Sequence, residues 1–342
     1  MGRSEPGTTG GDQGQGRDDP ARRPVEAAFI DGVPVVADLA EGLTANVGSV
    51  VRGKPEAVRL AVTALLAGGH LLVEDVPGVG KTLLAKALAR SVGATFARIQ
   101  ATPDLLPTEI TGTNVFSPRD GSWDFRPGPV FAHVLVVDEV NRATPRTQSA
   151  LLEAMEERQV TVDGQTRPLP DPFFLVATQN PYEHAGTFPL LEGHRDRFAM
   201  VVHLGHPGRE AEREMLLGTG GLEALGKLSP VTSPAGLGAA VAAVRRVHCA
   251  AAVADYVIDV AAATRAHPEV VTGASPRASL SLLDCAKATA AMAGRAFVVP
   301  DDVKAVAGAA LAHRLILAAG PDMAAGARVV AAVLRGVAAP RP

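Results

Sequence analysis

The run Pro77-Gly78-Val79-Gly80-Lys81-Thr82 has the residue types and order needed to hold a polyphosphate. Gly78 and Gly80 let the backbone curl so that successive N–H groups point at one anion. The stretch "KTLLAKALARSV" that follows has its apolar residues at helical spacing, so a helix would add the positive end of its dipole. Lys81 would reach the β- and γ-phosphates, the Thr82 hydroxyl would ligate Mg²⁺, and Leu83 closes the binding stretch. The general pattern G-x-x-x-x-G-K-[ST] has a glycine where this chain has Asp75. That position lies where the preceding strand leaves the sheet, ahead of the N–H groups that wrap the phosphate. The Asp75 carboxylate is therefore expected to turn away from the phosphates and accept a hydrogen bond from nearby backbone or a basic side chain.

Further chemistry-bearing residues follow in order. In "VLVVDEVNRA" four apolar residues lead into Asp138 and Glu139, which puts two carboxylates at the carboxyl end of a buried strand, where open α/β sheets bind ligands. Asp138 would hold Mg²⁺, directly or through water, and Glu139 would act as general base on the attacking water. A strand that ends in Asp-Glu is common, and gains meaning from the loop before it. In "FFLVATQNP" Asn180 closes another buried strand, with Thr178 on the same face, and could align that water. Phosphoryl transfer builds charge that arginine neutralises, often from a neighbouring subunit. Arg197 in "GHRDRFAM" and Arg277 in "GASPRAS" are the candidates, although either alone would pass for an ordinary surface arginine.

These residues need a scaffold that brings distant segments together. The runs "HLLVEDV", "ATFARIQ", "VLVVDEV", "FFLVATQN" and "FAMVVHL" are short, largely apolar and bounded by turn residues, as strands of a parallel sheet with helices on both faces are. "TNVFSPRDGSWDFRPGPVF" and "RQVTVDGQTRPL" read as two hairpins, the second around Asp163–Gly164. Residues 1–24 are too polar to offset their ordering entropy and are expected to form a disordered tail. Residues 25–206 are expected to form the α/β domain. Residues 207–342 lose the strand signals, and Ala-rich helical patterns indicate a smaller helical domain.

Composition bounds the function. A net charge of −3 gives no general case for nucleic acid or an anionic membrane as partner. The lone Cys249 and Cys285 point to buried packing in a reducing compartment, not to disulfides or a metal site. The run "MAAGARVVAAVLRGVAA" is broken by Arg328 and Arg335 and falls short of the ~20 apolar residues of a membrane span. Acidic residues after Arg22–Arg23 argue against an export signal, so a cytoplasmic protein is expected.

In this order, the loop, acidic pair, Asn180 and late arginines resemble an AAA+ ATPase. More narrowly, "EDVPGVGKT", "ATPDLLPTEITGT", "FRPGPVFA", "VDEVNRA", "ALLEAMEERQVTVDG", "ATQNP", "DRF" and "GASPRASL" resemble the MoxR family across roughly residues 43–317. The resemblance implies an AAA+ P-loop NTPase core with a five-stranded parallel sheet and two β-hairpin inserts, followed by a helical lid. It implies Lys81 and Thr82 in Walker A, Asp138 and Glu139 in Walker B, and Asn180 as sensor 1. Arg197 would be an arginine finger for the next subunit, and Arg277 would be sensor 2, acting in cis or in trans. "VVRGKP" would border the adenine through Val51 and Gly53. The chain departs from the family in "PLLEGHRDRF", where Gly193, His194 and Arg195 are unusual. Arg195 is then a second finger candidate, the "DRF" register favours Arg197, and His194 is expected to be structural.

The implied function is a homo-oligomeric ring, expected as a hexamer, that uses Mg²⁺ and ATP to remodel or activate partner proteins. Such partners often carry a von Willebrand factor A domain. A nucleic-acid motor is the first alternative, and the mixed charges of "SPRDGSWDF" and "TVDGQTRP" are poor material for tracking phosphates. A nucleotide-gated binding module with little hydrolysis is the second, and Glu139, Asn180 and the two arginines argue against it.

Overall fold

The computed structural model describes residues 1, 32–181, 186–217, 221–320 and 322–341. Apart from Met1, the expected N-terminal tail lies outside the described residues, as do residues 25–31 of the expected first domain.

The strands in chain order are β1 (Leu71–Glu74), β2 (Phe96–Gln100), the hairpin β3 and β4 (Gly112–Ser117, Ser122–Pro127), β5 (Val134–Asp138), the hairpin β6 and β7 (Gln159–Val162, Gln165–Pro168), β8 (Phe174–Gln179) and β9 (Met200–Val202). The five expected runs form one five-stranded parallel sheet in the order β2-β5-β8-β1-β9. β1, β5 and β9 are buried along their whole length, which their Leu- and Val-rich sequences require. β2 differs from the expected double burial. It is an edge strand, with Arg98 and Gln100 exposed on either side of buried Ile99.

Helices cover both faces. On one face Val33–Val50, Pro55–Leu66 and Lys81–Ser91 share a core with Val73, Val136 and Val176. On the other, Pro145–Glu157 packs on Leu72, Leu135, Val137 and Leu175. Several helix starts are written in the sequence as Ser or Thr followed by Pro. Ser233 and Ser275 accept N-cap hydrogen bonds from Gly236 and Ala278 N–H at 3.2 and 3.0 Å, with Pro234 and Pro276 opening each helix. The helix Pro300–Leu311 opens where Pro300 and Asp301–Asp302 predict it.

Beyond β9 the chain is helical, at Arg209–Leu216, Leu222–Lys227, Pro234–Arg245, Ala251–Arg265, Pro276–Met292, Pro300–Leu311 and Met323–Gly336. A small antiparallel pair, β10 (Val270–Thr272) with β11 (Ile316–Leu317), interrupts it and was too short to leave a periodic signal. The buried residues of these helices are continuous with the core of Val33–Val50 and Lys81–Ser91. Among the described residues no helix is long and apolar enough to cross a membrane. Cys285 is buried and its thiol is pushed up to about 12 by burial, while Cys249 is half-buried and also raised. Both are chemically quiet, as packing residues are.

Both hairpins form where the sequence places them. The β6–β7 turn uses Asp163 and Gly164 at φ 50° and 76°. The hairpins are tied together: Asn114 Nδ2 donates to Asp163 Oδ2 at 2.7 Å, and the Arg167 guanidinium lies 3.8 Å from the centre of the Phe125 ring. Phe116 and Trp123, cross-strand partners in the first hairpin, pack with ring centres 5.3 Å apart and planes tilted by 54°, and both are exposed.

Candidate nucleotide site

The loop leaves β1 at its carboxyl end and turns directly into the helix Lys81–Ser91. Gly78 and Gly80 take φ of 85° and 98°, which side chains rarely adopt, and a Cβ on either would enter open space. The concave side of the loop is thus free for an anion at the helix N-terminus. Pro77 is exposed at the loop's crown, whereas Val79 and Leu83 are half-buried against the core and anchor it.

Lys81 Nζ is folded into the loop and donates to the backbone carbonyls of Asp75 at 2.5 Å and Val76 at 3.3 Å. Burial depresses the Lys81 ammonium below the usual lysine range, and the charges of Asp75, Asp138 and Glu139 oppose that shift. An incoming phosphate would add to that opposite charge and further stabilise the desolvated ammonium.

Asp138 ends β5, an interior strand of the sheet, and Glu139 follows it directly. Asp138 is buried, and its carboxylate accepts from the Thr82 hydroxyl at 3.1 and 3.3 Å and from the Thr178 hydroxyl at 3.1 Å. Arg98 Nε also donates to it, at 2.6 Å, from the neighbouring edge strand. Glu139 adopts the left-handed conformation at φ 57°, rare for a side chain of its size, and Thr178 Oγ1 accepts its backbone N–H at 3.0 Å. That turn swings the Glu139 carboxylate off the strand, where Gln100 Nε2 donates to it at 3.0 Å and Arg142 Nε pairs with it at 3.3 Å. Asn180 directly follows β8, half-buried at the same edge of the sheet.

Arg98, Gln100, Arg142 and Thr178 are therefore parts of the site to which the sequence assigned no role in it, or none this direct. Arg98 and Gln100 sit two apart on β2, on one face, in register with Val136 and Asp138 of β5.

Asp75 behaves as expected. Its carboxylate accepts the N–H groups of Leu204 at 2.7 Å and Gly205 at 2.5 Å, and that of Val76 at 2.9 Å. It ties the loop to the end of β9 and does not point into the anion cradle.

A cavity of about 410 Å³ lies beside the loop between the helix Pro55–Leu66, β9 and the C-terminal helices, with Gly53, Leu60, Leu204, Ala309 and Met323 among its walls. Its size and apolar lining suit a nucleobase. Gly53 lines it. Val51 does not, and is buried in the core instead.

The two arginines are not part of this cluster. Arg197 Nε pairs with Glu156 Oε2 at 2.7 Å, and Arg277 Nη2 pairs with Glu156 Oε1. Both line a small cavity of about 230 Å³ with Gly68 and Gly69, which lead into β1 at its amino end. The phosphate loop leaves at the carboxyl end of the same strand. Arg195 points elsewhere: its Nη2 lies 3.7 Å from Glu74 Oε1 and 3.1 Å from Met323 Sδ, inside its own chain. His194 is buried, its Nδ1 lies 3.1 Å from Gln148 Oε1, and burial lowers its pKa. That is a structural placement. Asp196 completes the segment by pairing with Arg314 at 3.1 Å and accepting from Ser275 Oγ at 3.0 Å, which locks it to the start of the helix that carries Arg277.

Thr82 and Asp138 supply hard oxygen donors of the kind Mg²⁺ takes when phosphate and water complete its shell. Among the described residues no group of three or more His, Cys, Asp or Glu could hold a metal unaided. The donor set therefore suits a cation that arrives with a phosphate.

Comparison with known proteins agrees with this geometry. Residues 70–200 match the model of the ATPase family associated with various cellular activities (AAA), and residues 262–333 match the AAA lid domain. The chain is 43% identical to the uncharacterized protein YeaC of Bacillus subtilis, across 80% of this chain and 85% of that one. It is also 43% identical to chaperone MoxR1 of Mycobacterium tuberculosis, across 81% and 78%. A crystal structure from Cytophaga hutchinsonii, of a protein whose ATPase role is itself inferred, superposes with a TM-score of 0.83 at 33% identity, over 92% of this chain and 99% of that one. The chain belongs to the MoxR family of AAA+ ATPases.

Proposed function

We propose that this chain hydrolyses ATP with Mg²⁺ as a ring, expected as a hexamer, and spends the energy on remodelling or activating other proteins. The observation that carries the hydrolytic part is the meeting of the Thr82 hydroxyl and the buried Asp138 carboxylate beside an open glycine loop, with Glu139 held off the strand next to them. Bound Mg²⁺ would neutralise phosphate charge and orient the substrate. Pro77 to Leu83 hold the triphosphate, with Lys81 as the cation within the loop. Gly53 and the adjoining apolar cavity hold the base. Thr82 and Asp138 hold the metal, Glu139 accepts a proton from water, and Asn180 orients that water.

Arg197 and Arg277 lie at the other end of β1 from the loop, which supports both as groups that act on the triphosphate of the next subunit. Arg195 is engaged with Glu74 in its own chain, which favours Arg197 as the finger. A site built by two protomers in head-to-tail contact leads to a ring. The domain division read from the sequence, 25–206 and 207–342, is kept as part of this proposal. The helical part serves as a lid over the base cavity, to which Ala309 and Met323 contribute.

The client is a protein, with von Willebrand factor A-domain partners the first class to test, and the setting is the cytoplasm. The exposed, paired rings of Phe116 and Trp123 on the first hairpin are suitable contacts for a polypeptide. The test is phosphate release by the purified chain, with Lys81→Ala as control, and capture of bound protein by Glu139→Gln loaded with ATP. Phosphate release unchanged in Lys81→Ala would remove the hydrolytic reading. Stimulation by single-stranded DNA with steep salt dependence, and no captured protein, would replace the remodelling one.

A further inference from the structure

Glu156 lies in the last turn of the helix Pro145–Glu157, which has no basic residue in that turn. A carboxylate there faces the negative end of the helix dipole, so the position does nothing for the helix itself. It instead joins two arginines that are distant in sequence. Its Oε2 takes Arg197 Nε at 2.7 Å and its Oε1 takes Arg277 Nη2. The Arg197 side chain is further held by Nη1 donating to the Gly193 carbonyl at 2.7 Å. The helix end is itself fixed, because the Arg158 guanidinium donates to the Gly68 carbonyl at 2.6 Å and to that of Phe173.

Two guanidiniums this close repel each other and lose rotamer freedom when fixed, and a carboxylate between them offsets both costs. A guanidinium has more N–H donors than these contacts use, and its planar fork matches phosphate oxygens as it matches a carboxylate.

We propose that Glu156 is the positioning residue for the arginine pair: it holds Arg197 and Arg277 side by side, ready for the phosphate oxygens of the nucleotide bound to a second copy of this chain. The inference rests on the trans-acting reading of the two arginines given above. Glu156 touches no reacting atom and acts through the arginines. The hydrogen bond from Arg197, together with the charges of both arginines, keeps Glu156 below the usual glutamate range, so it is ionised where the protein works.

The test compares Glu156→Gln and Glu156→Asp with wild type in steady-state hydrolysis, in mant-ATP binding, and in an Arg197→Ala background. Glu156→Gln should lower kcat about tenfold with KM and mant-ATP affinity within about twofold, because orientation is lost and the protomer's own loop is untouched. Glu156→Asp should recover part of the loss, since the charge remains. In the Arg197→Ala background Glu156→Gln should cost less than it does in wild type, because only its hold on Arg277 is left to lose. Should Glu156→Gln fail to assemble, Glu156→Asp carries the same comparison. Wild-type kcat in Glu156→Gln alongside a slow Arg197→Ala overturns this inference alone. A loss as large in the Arg197→Ala background as in wild type, or one that falls on affinity, also overturns it. Wild-type kcat in both Arg197→Ala and Arg277→Ala overturns the trans reading and this inference with it.

Discussion

The Asp75 carboxylate accepts the backbone N–H of Leu204 at 2.7 Å, and that bond joins the start of the phosphate loop to the end of β9. A residue that looks hostile to a polyphosphate is thereby a structural acceptor for a turn that would otherwise leave N–H groups unmet. Asp75→Ala should destabilise the fold by about 1–3 kcal/mol, the cost of leaving partly buried donors without a partner. Chemical unfolding measures this directly. Tighter nucleotide binding in Asp75→Ala, at unchanged stability, would mean that the carboxylate had been repelling phosphate.

Glu139→Gln keeps the shape of the side chain and removes the base. It should bind mant-ATP within about threefold of wild type and hydrolyse it about 100-fold more slowly, the usual scale for loss of a general base. Lys81→Ala should fail at the binding step instead. Equal turnover in Glu139→Gln and wild type would assign the base elsewhere.

Arg98 Nε lies 2.6 Å from the Asp138 carboxylate that is assigned to the metal, so a guanidinium and a divalent cation compete for one oxygen. Arg98→Gln should lower the Mg²⁺ concentration for half-maximal nucleotide binding several-fold, since a like charge no longer opposes the cation. A Mg²⁺ titration of mant-ATP fluorescence reads this out. A higher requirement in the variant would make Arg98 a supporting ligand of the phosphate instead.

Two buried histidines set a pH dependence of stability. His70 accepts the Leu175 N–H at 3.0 Å through Nδ1, lies 3.1 Å from the Met155 carbonyl through Nε2, and is held down to about 3 by burial. His313 is likewise pushed well below its usual value by burial. Both stay neutral in the fold, while the unfolded chain takes up protons below about pH 6.5. Their contribution is fully present above that pH and declines as pH falls below it, for His70 down to about 3, by up to about 1.4 kcal/mol per pH unit for each. Melting curves between pH 7.5 and about pH 5 should show Tm falling, and His70→Gln should flatten the slope. A Tm that rises on acidification would contradict this.

The parts of the site that follow one another in the chain were legible, because local spacing alone defines them. The loop from Pro77 to Leu83 and the strand ending in Asp138–Glu139 belong to this group. So does the hairpin turn at Asp163–Gly164. The parts that depend on strands meeting were not. Arg98 is forty positions from Asp138 in sequence and touches it only because β2 pairs with β5. Glu156 is 121 positions from Arg277, and nothing near it announces the pair it holds. Val51, two residues before Gly53, is placed by packing in the same way. An apolar residue next to a cavity-lining glycine can face either way, and here it faces the core.

The central claim is that one active site is built from two copies of the chain, and mixing two disabled variants tests it most directly. Glu139→Gln lacks the base but keeps Arg197, and Arg197→Ala lacks the finger but keeps Glu139. Each alone should hydrolyse ATP slowly. Mixed in equal amounts and reassembled, they should regain about a quarter of wild-type turnover, the share of head-to-tail contacts that pair an intact base with an intact finger. A mixture no more active than its components would contradict the account.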